Sequence, residues 1–176
     1  MNFTELKNFM DHLTSWRMPG NGIVIYKDNK EVFSYTSGYA NIEDKTPFSN
    51  DMHLHIYSCS KPATITAVMQ LIEKGLITTD TPLYDIIPEY KKMYVKTESG
   101  IEEAKNHITI HHLLTMTAGL TYNCETPAFK KAYEETKGRM NTTTVIKHLA
   151  SDPLLFNPGE GYNYSLCHDV LAAVLG

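Results

Sequence analysis

Ser58 and Lys61 stand three residues apart in Ile56-Tyr57-Ser58-Cys59-Ser60-Lys61-Pro62, at the head of a run with helical character that ends at Gly75. On a helix this spacing puts both side chains on one face. A serine hydroxyl is a weak nucleophile until its proton is taken, and a lysine amine one turn away is a group that can take it. Ser58 is thus the candidate nucleophile of a covalent acyl transfer, with Lys61 as its proton acceptor. The spacing alone is a short pattern that recurs by chance, so its setting must carry the argument. Cys59 is a second potential nucleophile, but a helical neighbour of Ser58 points about 100° away from it, and a packing role fits better.

The surroundings favour Ser58. Ile65, Val68, Met69 and Ile72 recur at helical spacing between Pro62, tolerable in a first turn, and Gly75, suited to a C-terminal cap. Ser58 therefore falls at the N-terminus of a buried helix, where free N–H groups and the helix dipole favour the negative charge of an acyl-transfer intermediate. Upstream, Phe3, Leu6, Phe9, Met10 and Leu13 make an apolar stripe that ends at Met18-Pro19-Gly20. The β-branched and aromatic runs 22–26 and 31–39 flank Lys27-Asp28-Asn29-Lys30 as an antiparallel hairpin. A loop from Asn41 to Asp51 leads to the serine. Downstream, 94–106 reads as polar and exposed, 108–119 as a cap followed by a helix, and 142–150 and 165–175 as helices. The outcome is an α/β class: residues 1–57 form part of an α/β domain, and residues 58–176 hold the nucleophile helix and a mainly helical domain.

Composition sets outer limits. The 176 residues are 42% hydrophobic and 20% charged with a net charge of −4, which suits a folded chain and gives no basis for nucleic-acid binding. No run is long enough to span a bilayer, and the first residues lack a signal-peptide core, so a cytoplasmic location is expected. The three cysteines, Cys59, Cys124 and Cys167, form no Cys-x-x-Cys pair and suggest reduced thiols. His53, His55, His107, His111 and His112 do not fall into a metal-ligand pattern, so neither a metal nor a cofactor is expected.

Four ordered blocks carry a resemblance over nearly the whole chain. They are Ser58-x-x-Lys61; Leu71-Ile72-Glu73-Lys74-Gly75; Ile108-Thr109-Ile110-His111-His112-Leu113-Leu114-Thr115-Met116-Thr117-Ala118-Gly119-Leu120; and Asn157-Pro158-Gly159 with Tyr164-Ser165. In this order they resemble the serine β-lactamase and penicillin-binding-protein-like family, nearest its class C β-lactamases, D-alanyl-D-alanine carboxypeptidases and esterases. The resemblance implies an α/β sandwich whose N-terminal helix and hairpin adjoin a mainly helical region. It makes Ser58 the acylated nucleophile and Lys61 its proton relay. Tyr164 becomes the second-motif tyrosine, acting as general base toward Ser58 or passing a proton to the leaving group, and Tyr57, Ser165 and Leu166 become substrate-binding positions.

Two departures refine what the resemblance implies. Many members carry Tyr-x-Asn, whereas Leu166 follows Tyr164-Ser165 and cannot supply the amide's hydrogen bonds. That shifts the expected substrate from a β-lactam toward an ester or a D-amino-acid peptide. The family's third motif, Lys-Thr-Gly or His-x-Gly on an edge strand, is not found before Gly176. The chain is thus expected to be the N-terminal portion of a longer enzyme, truncated before its C-terminal strands, and to self-associate or pair with the C-terminal part. A catalytically silent ligand-binding or interaction module of the same fold is the competing reading.

Overall fold

The computed structural model describes all residues, 1–176, and divides them into two compact units, Met1–Ile56 and Tyr57–Gly176. In the first, helix α1 (Thr4–Trp16) packs on the antiparallel pair β1 (Gly20–Lys27) and β2 (Lys30–Asn41), and the short β3 (Thr46–Pro47) completes a three-stranded sheet in the order β1-β2-β3. The hairpin closes at Asp28 and Asn29, both at positive φ (51° and 59°), the backbone a two-residue turn needs and which Asp and Asn tolerate. The α1 stripe is narrower than its sequence implies. Met10 is buried while Phe9, about 100° round the helix from it, is exposed. Tyr35 secures the pairing by donating its hydroxyl hydrogen to Asp11 Oδ1 at 2.7 Å.

The second unit is mainly helical: α2 (Lys61–Glu73), the hairpin β4 (Tyr94–Thr97) and β5 (Gly100–Glu103), then α3 (Ile110–Leu114), α4 (Pro127–Glu135), α5 (Thr142–Leu149) and α6 (Cys167–Val174). Its core draws on Val68, Ile110, Leu113, Ile146, Leu154 and Leu171, all essentially inaccessible to solvent. Burial of such side chains contributes about 1.5–3 kcal/mol each relative to exposure. The buried Tyr90 donates its hydroxyl hydrogen to the Ile146 carbonyl, and burial pushes its phenol pKa upward, which keeps it neutral.

Three expectations change. The 94–106 segment is not merely polar and exposed but a hairpin, because Val95 is buried and the Lys96 N–H donates to the Leu154 carbonyl at 2.9 Å. Helix α4 is additional to the elements expected from the sequence; its start is marked by Thr126-Pro127, an N-cap threonine accepting from the Phe129 N–H and a proline in the first turn. Helix α2 is less buried than expected. It meets α6 on one side, where Val68 is sealed, while Met69 stays exposed. No helix is long and apolar enough to cross a membrane.

Candidate active site

Ser58 sits on a single 3-10 turn, Tyr57–Ser60, that runs directly into α2, with Lys61 as the helix's first residue. The turn is tied by the Ser60 hydroxyl, which donates to the Tyr57 carbonyl at 2.7 Å. Tyr57 has φ 45°, a left-handed backbone that costs a non-glycine residue free energy and is held by its surroundings. Such strain beside a candidate nucleophile is the kind found at functional sites. Ser58 itself is exposed and Lys61 half-buried.

Tyr164 reaches this turn from the far end of the chain. Its hydroxyl donates to Ser58 Oγ at 2.6 Å. The Lys61 ammonium lies 5.3 Å from the centre of the Tyr164 ring and 5.7 Å from that of Tyr122, and the two rings stack with centroids 5.7 Å apart and an interplanar angle of 22°. The cation thus rests near two aromatic faces, an arrangement worth about 0.5–1 kcal/mol when solvent-exposed. The structure brings three of the sequence-predicted residues together and adds a fourth. Tyr122 escaped the sequence reading because its partnership depends on two loops meeting, which no local spacing encodes.

Those loops are held by backbone bonds. The Gly159 N–H donates to the Thr117 carbonyl at 2.9 Å, and the Asn163 N–H to the Met116 carbonyl at 3.1 Å. The Asn163 side-chain amide donates to the Leu120 carbonyl at 2.9 Å. Gly119 has φ 80°, and a Cβ there would stand 2.3 Å from the Phe156 carbonyl oxygen, so only glycine lets the two strands of this crossing approach. Asn157, buried beneath them, accepts from the Lys105 N–H and donates to Glu160. The blocks around Gly119 and Gly159 therefore work as one scaffold that aims Tyr164 at Ser58.

The remaining predicted positions differ in exposure. Tyr57 is 83% exposed beside Ser58. Ser165 is fully buried, with its hydroxyl donating to Cys167 Sγ at 3.1 Å. Leu166 belongs to the core and also borders a cavity behind Tyr122. Burial pushes the Cys167 thiol pKa upward, making it a structural group. His148 Nε2 meets Glu135 Oε2 at 2.6 Å as a pair, and no three His, Cys, Asp or Glu side chains come together as a metal-ligand group. His112 instead closes a capping box at α3, its Nδ1 accepting from the Thr109 N–H at 3.1 Å.

A family model, Beta-lactamase, matches residues 6–176. This chain belongs to the beta-lactamase family. It is 30% identical over 174 residues to Esterase EstB of Burkholderia gladioli, covering 95% of this chain and 43% of that protein. It is 32% identical over 147 residues to Acyltransferase calJ of Penicillium decumbens, covering 79% and 35%. Among solved structures, EstCE1, described as a hydrolase with promiscuous acyltransferase activity, superposes with a TM-score of 0.79 at 26% identity, over 98% of this chain and 46% of that one. The mixed helix-and-sheet architecture is that of the beta-lactamase-like fold, and the family's relatives are hydrolases and acyl-transferring enzymes. The chain spans less than half the length of these relatives.

Proposed function

We propose that this chain carries the nucleophile half of a serine hydrolase that works through an acyl-enzyme. The observation that carries the reading is the 2.6 Å hydrogen bond between Tyr164 and Ser58 with the Lys61 ammonium 5.3 Å from the tyrosine ring. In the reacting state the pair is one proton short, Tyr164 standing as a phenolate beside the Lys61 ammonium, and Tyr164 takes the Ser58 proton as Oγ bonds to the substrate carbonyl carbon and the carbonyl oxygen takes up negative charge. The Ser58 backbone N–H is one donor for that oxyanion. Collapse breaks the bond to the leaving group, whose oxygen or nitrogen receives the proton through Tyr164. Water then attacks the acyl-enzyme, loses a proton to the same pair, and regenerates the Ser58 hydroxyl. Lys61 keeps a positive charge beside the group through which each proton moves.

The substrate class that fits is an ester first, with a D-amino-acid peptide or amide next and a β-lactam last. Leu166 offers no amide to hold a β-lactam's side chain, and the esterase and acyltransferase relatives point the same way. Turnover of a short-chain p-nitrophenyl ester against a penicillin tests this. Ester hydrolysis that disappears in Ser58→Ala is expected, while penicillin cleavage without ester cleavage would overturn the preference. Self-association, or pairing with a C-terminal part, accompanies this reading, because β1 lies at a sheet edge with Val24 and Tyr26 exposed.

A further inference from the structure

Tyr164 works at the end of a long side chain, so a small rotation of its backbone carries the hydroxyl away from Ser58. A displacement of about 1 Å at a reacting group can cost about a hundredfold in rate. What fixes Tyr164 in place therefore bears on the chemistry. Its own side-chain contacts, the hydrogen bond to Ser58 and the stack on Tyr122, both involve exposed partners. Contacts at the surface compete with water and hold a side chain weakly.

The two sequence neighbours of Tyr164 turn inward instead. The Asn163 amide donates to the Leu120 carbonyl at 2.9 Å, and the Asn163 N–H donates to the Met116 carbonyl at 3.1 Å. One residue thus fastens the chain just before Tyr164 to both ends of the 116–120 loop, which leads on to Tyr122. On the other side, the buried Ser165 hydroxyl donates to Cys167 Sγ at 3.1 Å. Cys167 is the equally buried first residue of α6, and α6 packs on α2, the helix that continues from the Ser58 turn. The two anchors reach different elements. Asn163 holds Tyr164 to the loop that supplies Tyr122, and Ser165 holds it to the helix pair that supplies Ser58. A buried hydroxyl left without an acceptor is costly, so the Ser165 anchor depends on the sulfur.

We infer that Asn163 and Ser165 are positioning residues for the acyl-transfer step, acting through Tyr164 to hold its hydroxyl at Ser58. The inference rests on the serine acyl-transfer reading. It gives Ser165 a task that fits its burial, and it makes Cys167 the acceptor on which that task depends.

A double-mutant cycle with Tyr164→Phe tests this, because a group that acts through the tyrosine loses its effect once the phenolic oxygen is gone. The readout is the second-order rate of Ser58 labelling by a fluorophosphonate, with urea midpoints measured on the same samples. Asn163→Ala and Ser165→Ala are each expected to slow labelling about tenfold, within the range that misplacement of a reacting group produces. Added to Tyr164→Phe, neither should slow it further. Cys167→Ala should match Ser165→Ala, whereas Cys167→Ser, which keeps an acceptor, should retain most of the parent rate. Unchanged rates in Asn163→Ala and Ser165→Ala, effects that persist in full in the Tyr164→Phe background, or no rescue by Cys167→Ser would overturn the proposal. So would loss of folding in both Asn163→Ala and Ser165→Ala, which would make these residues structural only. A Tyr164→Phe rate equal to that of the parent sinks the acyl-transfer reading and the positioning roles together. A slow Tyr164→Phe beside fast Asn163→Ala and Ser165→Ala sinks the positioning roles alone.

Discussion

The hydroxyl of Tyr164 donates a 2.6 Å hydrogen bond to Ser58 Oγ across 106 residues of sequence. A contact so distant in sequence depends on the whole second unit, from the turn before α2 to the loop before α6. If this contact is the proton route, removing the phenolic oxygen alone should disable it. Tyr164→Phe is expected to slow acylation of Ser58 by about a hundredfold or more, the usual worth of a positioned acid–base group. Thermal unfolding of the same variant should stay close to that of the parent, because the ring and its stacking remain.

Tyr122 tests the support of that route rather than the route itself. Its ring stacks on Tyr164 and faces Lys61, so Tyr122→Leu should lower the acylation rate by about two- to tenfold, in keeping with about 0.5–1.5 kcal/mol for an aromatic pair. Tyr122→Phe should restore most of it. A failure of phenylalanine to rescue would show that the Tyr122 hydroxyl, not its ring, matters.

The crossing of the two scaffold loops predicts a stability contrast between glycines. Gly119→Ala forces a Cβ to within 2.3 Å of the Phe156 carbonyl oxygen at φ 80° and should destabilise the second unit by about 2 kcal/mol or more. Gly75→Ala meets nothing within 4 Å and carries only the cost of its positive φ of 69°, about 1 kcal/mol. Urea midpoints of the two variants provide the comparison.

His112 makes stability depend on pH. Burial, first, and the neighbouring His111 hold its pKa below the ordinary 6.5. The unfolded chain therefore takes up the proton more readily, and the stability that neutral His112 contributes is present above about pH 6.5 and lost as pH falls through the lower folded value. Protonating Nδ1 also removes the acceptor of the Thr109 N–H. His112→Gln, which keeps an acceptor at the same capping-box position, should flatten the change in urea midpoint between about pH 7.5 and 5. An unchanged slope would assign the pH dependence to other groups.

Local patterns made α1, the first hairpin, α2, α5 and α6 legible, because each rests on a period of apolar residues with a recognisable stop. The β4–β5 hairpin was hidden because β5 is exposed along its whole length and so shows no apolar alternation. Ser58, Lys61 and Tyr164 were readable through ordered motifs. The burial of Ser165 and the partnership of Tyr122 were not, since both follow from how two loops pack.

Intact mass after exposure to a fluorophosphonate, with the adduct mapped to a residue, decides whether Ser58 is an activated nucleophile. Parent protein, Ser58→Ala, Lys61→Ala and Tyr164→Phe would be compared, each confirmed as folded by circular dichroism. A single adduct is expected on Ser58 of the parent, absent from Ser58→Ala and strongly slowed in the other two. An adduct elsewhere, or labelling of Ser58 at an unchanged rate without Lys61 and Tyr164, would contradict it.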